Sequence, residues 1–259
     1  MPELNGAPST AEDLKLLALT NYGHYTSMRA DDQHVRGFSL HLDRLVRDCR
    51  LVFDADLDRE KVRGFIQHAT RGKAGSFSIR VTIFDPALEM GRPSVDAQPH
   101  VLVTTRSATP LPAQPLHVQS VKYRRDLPPV KHIGLFGAMW HRRSAQLNGF
   151  DDALFVDDGS FVSEGATWNI GFFDGTQIIW PDAEVLPGVT MRLLQQVHDQ
   201  TVTAPVSLAE IPDMQTAFAT NTTVGVRPIS SIDDLSLPED HPIFETLRNE
   251  YLEIPAEPL

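Results

Sequence analysis

The sequence predicts two α/β domains joined by a proline-rich linker, and three observations support this prediction. Amphipathic helix patterns and alternating strand patterns follow one another up to about residue 108. Prolines then cluster in residues 109–118, and short apolar runs with tight-turn dipeptides follow. We therefore predict a small N-terminal α/β domain over 1–108, a linker over 109–118 and a larger C-terminal domain over 119–259.

The composition narrows the classes of protein to which the chain can belong. Of its 259 residues, 41% are hydrophobic and 22% are charged, as in a soluble globular protein. A net charge of −11 argues against nucleic acid or an anionic membrane as a partner. The sequence has no apolar run of bilayer length, no signal-peptide pattern and a single cysteine, Cys49, so we expect a cytoplasmic protein without a disulfide.

The elements of the N-terminal domain follow from local patterns. Ser39 is a candidate N-cap for a helix whose apolar positions recur over residues 42–49. Asp58 can cap a second helix. Residues 77–83 alternate between apolar and polar side chains and predict a half-buried strand, and residues 101–105 predict another.

The C-terminal domain opens with a helix pattern over residues 135–145, stopped by Asn148 and Gly149. Two hairpins are predicted next, one turning at Asp158-Gly159 and the other at Asp174-Gly175. The remaining predicted elements are a helix over 189–197, a strand over 217–229 and a C-terminal helix that carries Phe244, Leu247 and Tyr251.

Two lysines are candidates for a reactive amine. Lys131 lies among apolar neighbours, which indicates burial, and burial favours the neutral, nucleophilic form of an amine. Lys122 is followed by Tyr123, Arg124 and Arg125, a pattern typical of a solvated or ionic surface. From the residues alone Lys131 is only slightly favoured.

A carboxylate and a helix start accompany Lys131. Glu164 follows a strand-like run, and residues 186–190 read Leu-Pro-Gly-Val-Thr, a glycine turn that opens a helix. Pyridoxal phosphate needs an amine for its aldehyde, an anion for its pyridinium nitrogen and backbone N–H groups for its phosphate. The alternatives are that Glu164 is an ordinary surface carboxylate and that Thr190 is only a helix cap.

The stretch from Lys131 to Thr190 resembles the active-site region of the fold-type IV pyridoxal phosphate enzymes. These comprise branched-chain and D-amino-acid aminotransferases and aminodeoxychorismate lyases. The motifs that carry the resemblance are Lys131 with Ala145, Ser163-Glu164-Gly165 with Asn169, and the turn at 186–190. The resemblance extends from about Tyr22 to Ile229 and implies a two-domain α/β fold with the cofactor in the interdomain cleft.

The resemblance also implies roles for individual residues. Lys131 would form the Schiff base and Glu164 would pair with the pyridine nitrogen. Arg44, in the motif His-x-x-Arg-Leu, would bind the phosphate, although most arginines of this kind solvate a helix face. The remaining implied residues are Val189 and Thr190, Thr222 and Thr223 on the phosphate, where Asn221 replaces a family glycine, and Tyr25 and Ser27 on the substrate side.

The implied function is a PLP-dependent aminotransferase that moves an amino group between an amino acid or amine and a 2-oxo acid. Family members are homodimers, so a homodimer is expected, and no metal site is predicted. Two alternatives stay open. Thr26 and Ser27 after Tyr25, and Cys49, resemble the pyruvate-releasing aminodeoxychorismate lyases, and the fold could also serve as a non-catalytic binding module. Tyr25 could equally be a core residue.

Overall fold

The computed structural model describes residues 1–259, apart from the side chain of Leu16, and divides into two compact units. Unit 1 comprises Met1–Thr109, Val130–Gly134 and Pro255–Leu259, and unit 2 comprises Pro110–Pro129 and Leu135–Ile254. The sequence had assigned residues 130–134 and 255–259 to the second domain. They lie in unit 1 because both segments form backbone hydrogen bonds with its strands.

Unit 1 is a seven-stranded antiparallel sheet with helices packed against it. Its elements are β1 (Glu3–Leu4), β2 (Ala7–Pro8), α1 (Ala11–Leu19), β3 (His24–Asp31), β4 (His34–Arg36), α2 (Phe38–Phe53), α3 (Arg59–Thr70), β5 (Ser76–Phe84), β6 (His100–Ser107) and, from the end of the chain, β16 (Ala256–Pro258). The strand order is β16-β4-β3-β5-β6-β1-β2.

The apolar core of unit 1 lies between the sheet and the helices α2 and α3. Alternate residues of β5, including Ile79 and Val81, pack in one cluster with Leu42 and Leu45 of α2 and Ile66 of α3. The period of two along the strand and the helical spacing along α2 therefore turn the apolar residues of both elements toward this core. The predicted strands 77–83 and 101–105 are confirmed within β5 and β6. The prediction that residues 77–83 are half-buried is wrong, because Ser78 and Thr82 on the other face of β5 are buried as well.

The two predicted helix caps of unit 1 had different outcomes. The cap at Asp58 is confirmed, since its Oδ1 accepts hydrogen bonds from the backbone N–H groups of Glu60 at 2.9 Å and Lys61 at 3.0 Å. The cap at Ser39 is wrong. Helix α2 begins at Phe38, two residues earlier than a cap at Ser39 would require, and its N-cap is Gly37, whose φ of +69° turns the chain into the helix. The backbone N–H of Ser39 donates to the carboxylate of Glu257.

Unit 2 is built mainly from strands. Its elements are β7 (Leu116–Lys122), α4 (Phe136–Leu147), β8 (Asp152–Val156), β9 (Val162–Gly165), β10 (Asn169–Phe173), β11 (Ile178–Pro181), α5 (Val189–Val197), β12 (Thr201–Ala204), a 3₁₀ helix (Leu208–Asp213), β13 (Thr216–Asn221), β14 (Gly225–Ile232), β15 (Leu235–Ser236) and α6 (Ile243–Glu253). The predicted helices of the C-terminal domain are confirmed as α4, α5 and α6.

The sheet of unit 2 closes on itself. Its strand order is β12-β11-β10-β13-β14-β7-β8-β9, and β9 pairs in turn with β10. The six strands from β10 to β9 therefore form a closed ring, which leaves none of them with a free edge. The pair that completes the ring is Glu164 opposite Asn169.

Two turns of unit 2 differ from the sequence prediction. The predicted strand over 217–229 is wrong, because β13 and β14 are two antiparallel strands joined by a turn over residues 222–224. The Oδ1 of Asn221 accepts the backbone N–H groups of Thr223 and Val224, which stabilises this turn. Between β8 and β9 the positive φ, +64°, falls on Ser160, not on Gly159.

The longest helix among the described residues, α2, has 16 residues. No helix in this part of the chain combines the length and the apolar character that crossing a membrane requires.

His24 is a titratable group enclosed in the core of unit 1. It opens β3, it is fully buried, and neither ring nitrogen has a hydrogen-bond partner. Its ring centre lies 6.1 Å from that of Phe53. Burial, and after it the positive charges of Arg44 and Arg47, lower the pKa of His24 to about 3.

This lowered pKa predicts acid destabilisation. The unfolded chain takes up a proton at His24 near pH 6.5, whereas the folded chain does so only near pH 3, so stability is present above pH 6.5 and is lost as the pH falls. Below pH 6.5 we expect protonation of His24 in the unfolded chain to lower the free energy of unfolding by up to about 1.4 kcal/mol for each unit by which the pH falls. Urea titrations between pH 7 and pH 4 should show a shallower pH slope for His24→Leu.

A control variant is Phe53→Leu, which removes packing beside His24 without removing a titratable group. It should lower stability similarly at each pH and keep the parent's slope. An unchanged slope in His24→Leu would contradict the assignment of this acid sensitivity to His24.

Candidate active site

Helix α2 buries a face that carries charged side chains. His41, Arg44 and Asp48 follow one another at spacings of three and four residues, which places them on one side of the helix. All three are buried in unit 1. The alternative interpretation, in which Arg44 solvates an exposed helix face, is therefore wrong.

Thr26 and His41 orient the guanidinium group of Arg44. The Nη2 of Arg44 donates to the Oγ1 of Thr26, which lies 2.7 Å from the Nδ1 of His41. Arg44 Nη2 also lies 3.2 Å from this nitrogen. Because arginine only donates hydrogen bonds, Nδ1 accepts and the ring carries its proton on Nε2. Burial, and then the charges of Arg44 and Lys131, hold the pKa of His41 well below its usual value, so the ring is neutral.

Lys131 is tied to unit 1 through its backbone. Its carbonyl accepts the N–H of Tyr25 at 2.8 Å, and its own N–H donates to the carboxylate of Asp48 at 3.1 Å. Its side-chain Nζ lies 5.0 Å from the centre of the Tyr25 ring. The competing lysine, Lys122, has a side chain that is 64% exposed in unit 2, which agrees with a solvated position.

Tyr25 places an aromatic ring between two cationic groups. The guanidinium carbon of Arg80 lies 3.7 Å from the ring centre, and burial lowers the pKa of Arg80. Ser27, two residues further along the same face of β3, lines a small cavity of about 210 Å³ with Arg80 and Arg106. Arg80 was not predicted as a site residue, although its polar position in an alternating strand was a usable signal.

In unit 2, three polar residues form a row across neighbouring strands. Glu164 of β9 lies opposite Asn169 of β10, and Asn169 lies opposite Thr220 of β13. Residues directly opposite one another in antiparallel strands project to the same side of the sheet. All three are buried, so one face of the closed sheet carries a carboxylate, an amide and a hydroxyl at one level.

Glu164 and Asn169 together hold the turn at Leu186. The Oε2 of Glu164 accepts the backbone N–H of Leu186 at 3.2 Å, and the Nδ2 of Asn169 donates to the carbonyl of Leu186 at 2.8 Å. A Cβ at Gly188 would overlap the Oδ1 of Asn169, so only glycine fits at this position. The two sequence motifs, Ser-Glu-Gly with its asparagine and Leu-Pro-Gly-Val-Thr, are thus one hydrogen-bonded structure.

The turn leads directly into helix α5. Val189 is its first residue, Gly188 is its N-cap, and Thr190 follows in the first turn. The hydroxyls of Thr190 and Thr220 are both buried, and neither has a hydrogen-bond partner among the residues that the structure describes. A helix N-terminus with a buried, unsatisfied hydroxyl is suited to binding an anion.

Glu164 has a second partner that the sequence did not predict. The Nη1 of Arg125 donates to its Oε1 at 3.1 Å, and both side chains are buried. The prediction that residues 123–125 form a solvated surface is therefore wrong for Arg125, whereas Arg124 is exposed and pairs with Glu184. No local pattern distinguishes the two arginines, because the partner of Arg125 lies on a distant strand.

Thr222 and Thr223 lie in the turn between β13 and β14. The N–H of Thr223 donates to Asn221 at 2.9 Å, so the side chain that replaces the family glycine already occupies this donor. Unit 1 thus groups Tyr25, Arg44 and Lys131, and unit 2 groups Glu164 with the start of α5.

Three comparisons with known proteins agree with these motifs. The model of the family "Amino-transferase class IV" matches residues 23–232. A protein of Rickettsia typhi named "Probable branched-chain-amino-acid aminotransferase" is 33% identical over 125 residues, which is 45% of this chain and 43% of that protein. The chain therefore spans less than half the length of this curated relative.

Solved structures share the fold. The branched-chain aminotransferase of Thermoproteus uzoniensis with norvaline is similar with a TM-score of 0.84 at 19% identity, over 97% of this chain and 93% of that one. A hypothetical aminotransferase from Mycobacterium tuberculosis in its PLP-bound form has a TM-score of 0.80 at 20% identity, over 97% of both chains. These likenesses confirm the predicted fold class.

Proposed function

Since the chain belongs to the class IV aminotransferase family, whose members are pyridoxal phosphate enzymes, we propose that it is itself a PLP-dependent aminotransferase. The observation that carries the proposal is the clamp of Glu164 and Asn169 on the turn that opens α5. The clamp brings the buried carboxylate of Glu164 to the turn at Leu186. The same turn leads into the N-terminus of α5, where the hydroxyl of Thr190 is unsatisfied.

The residues of both units fit the cofactor. We propose that Val189, Thr190 and the turn at Thr222 and Thr223 bind its phosphate in unit 2. Backbone N–H groups at a helix start and buried hydroxyls suit a dianion. In unit 1 we assign Arg44 to the same phosphate, because Thr26 and a neutral His41 hold its guanidinium in one direction.

When bound, pyridoxal phosphate supplies an aldehyde that condenses with amines and a ring that accepts an electron pair. We propose that the Nζ of Lys131 is the amine that holds the aldehyde and later moves the proton at the substrate Cα. The Nζ of Lys131 and the guanidinium group of Arg80 both lie against the ring of Tyr25, and a nearby cation disfavours a second positive charge on such an amine.

Glu164 would hold the proton on the ring nitrogen. Its Oε1 is oriented by Arg125 and its Oε2 by the N–H of Leu186, so the carboxylate is held in one direction. An anion beside the nitrogen keeps the ring protonated, and a protonated ring accepts electrons more readily.

The proposed substrates are an amino acid or amine as donor and a 2-oxo acid as acceptor. The relatives named above for branched-chain amino acids make these the first donors to assay. We place Tyr25 and Ser27 on the substrate side, because Tyr25 lies beside the amine of Lys131 and Ser27 follows it on the same face of β3.

We further propose that the protein is a homodimer and that helix α4 contributes to the interface. Phe136 is 80% and Trp140 is 58% exposed, and their rings stack with centres 6.3 Å apart. Met139 and Leu147 of the same helix are also exposed. Contiguous exposed apolar side chains of this kind mark interaction surfaces.

The first prediction concerns Lys131. Reduction of the PLP-loaded protein with borohydride, followed by peptide mapping, should place the label on Lys131 and not on Lys122, because the backbone of Lys131 is hydrogen-bonded to the buried Asp48 whereas the side chain of Lys122 is 64% exposed. Lys131→Ala should lose the label and the activity, whereas Lys122→Ala should keep both. A label on Lys122 in the parent protein would overturn the assignment.

The second prediction separates chemistry from cofactor binding. Glu164→Gln removes the anion from the ring nitrogen and should lower kcat at saturating PLP by roughly 30- to 1000-fold, as the loss of one charged partner in a dry site implies. Arg44→Ala should instead raise the Kd for PLP and retain most of kcat. Amino-transfer rates and fluorescence titrations with PLP measure the two effects.

Arg125→Gln serves as the control for Glu164→Gln, because it breaks the same ion pair while leaving the carboxylate in place. It should cost stability but far less of kcat. Equal turnover in Glu164→Gln and the parent would show that the carboxylate is not on the ring.

The third prediction tests the dimer. The double variant Phe136→Asp, Trp140→Asp should shift the protein to a monomer in light scattering at micromolar concentration, because charge would replace the stacked apolar pair. Leu51→Asp, at a residue of α2 that is also exposed, should leave the oligomeric state unchanged. A monomeric parent protein would refute the proposal.

A further inference from the structure

We propose that Asp48 is a positioning residue for Lys131: its buried carboxylate sets where the lysine backbone, and therefore the amine, lies relative to Arg44. The inference rests on the proposed function of Lys131 and Arg44. No sequence motif pointed to Asp48, and its role emerges only from a contact between residues 83 positions apart.

The contact is a hydrogen bond from the backbone N–H of Lys131 to the Oδ2 of Asp48, at 3.1 Å. Asp48 is fully buried. A buried carboxylate requires hydrogen-bond donors, because an unpaired charge in the interior is strongly unfavourable. The buried carboxylate of Asp48 therefore needs the N–H of Lys131 as a hydrogen-bond donor, and this need keeps the lysine backbone in place.

Arg47 holds the other oxygen of the carboxylate. Its Nε and Nη2 both donate to Oδ1, at 2.9 and 2.6 Å. The carboxylate is thus fixed from two sides, with the charge balanced by Arg47 and the second oxygen directed at Lys131. Hydrogen bonds to an ionised acceptor are stronger than neutral ones, so this arrangement is suited to fixing a backbone position.

Helix α2 fixes the separation between Arg44 and Asp48. Arg44 and Asp48 are four residues apart on α2, so they lie one helical turn apart on the same face. Asp48 thereby connects the backbone of Lys131 to the helical turn that follows Arg44. The hydrogen bonds of residues 131 and 133 with Tyr25 and Gly23 constrain the same segment from the β3 side. The backbone of Lys131 is held between these two supports.

Binding of two forms of the cofactor distinguishes a positioning role of Asp48 from a general effect on the stability of the protein. Pyridoxal phosphate has an aldehyde and can be captured covalently by Lys131. Pyridoxamine phosphate has an amine in its place and binds through phosphate and ring contacts alone. A misplaced lysine weakens capture of the aldehyde form, whereas a loosened phosphate site weakens both forms.

The key variant is Asp48→Ala. We expect its Kd for pyridoxal phosphate to rise about tenfold, the effect of losing one hydrogen bond to a charged acceptor, while the Kd for pyridoxamine phosphate stays unchanged. In the cofactor-free protein, hydrogen exchange should become faster at the Lys131 amide. Asp48→Asn keeps an oxygen that can accept this N–H and should retain most of the affinity for pyridoxal phosphate.

Asp85 provides a matched control. It is also a buried carboxylate of unit 1 and accepts two backbone N–H groups, those of Ala87 at 2.8 Å and Gln98 at 2.9 Å. Asp85→Ala should lower stability without changing either Kd. Should Asp48→Ala not purify as folded protein, Asp48→Ser, with a hydroxyl in the buried space, takes its place in the same titrations.

The inference is overturned if Asp48→Ala raises both dissociation constants alike or changes neither. A borohydride label on Lys131 in the parent protein, together with unchanged titrations in Asp48→Ala, would reject the role of Asp48 and leave the proposed function intact. A parent protein labelled at another lysine would instead reject the assignment of Lys131, and the inference would fall with it.

Discussion

The candidate site in unit 2 depends on two hydrogen bonds at Leu186: its backbone N–H donates to the carboxylate of Glu164, and its carbonyl accepts from the amide of Asn169. Asn169 pairs with Glu164 to close the strand ring, and the same two side chains hold the turn that begins α5. The same two residues therefore take part in closing the sheet and in placing the helix N-terminus.

Unit 1 follows the same principle with different residues. One face of α2 buries a histidine, an arginine and an aspartate, and each has a defined partner within the unit. His41 is neutral, so the positive charge of Arg44 is not opposed by a second cation at the same point. Hydrogen-bonded polar groups in a buried position are rigid, and rigidity is what an anion-binding or amine-bearing group requires.

Several motifs gain a physical explanation from the fold. The spacing between Glu164 and Asn169 is the length of a turn between directly paired positions of β9 and β10, with Gly165 and Trp168 hydrogen-bonded inside it at 2.9 Å. Gly188 is required because the amide oxygen of Asn169 occupies the space of a Cβ. Local sequence patterns also predicted the helices α2 to α6 and the cap at Asp58, since these depend on neighbours within a few residues.

The fold class, the family and the order of the motifs follow from the amino-acid sequence, because helical and strand periodicity and short motifs are local properties. The burial of Arg125 against Glu164, 39 residues away, and the contact of Asp48 with Lys131, 83 residues away, emerge from the folded chain alone. The tertiary structure also divided the chain so that residues 130–134 belong to unit 1, and it split the predicted strand 217–229 into two. The first three share one reason: the partner of each group lies on a distant segment, and no pattern in the neighbouring residues indicates which segment that is. The split of residues 217–229 depends instead on a local turn, in which Asn221 accepts the N–H groups of Thr223 and Val224.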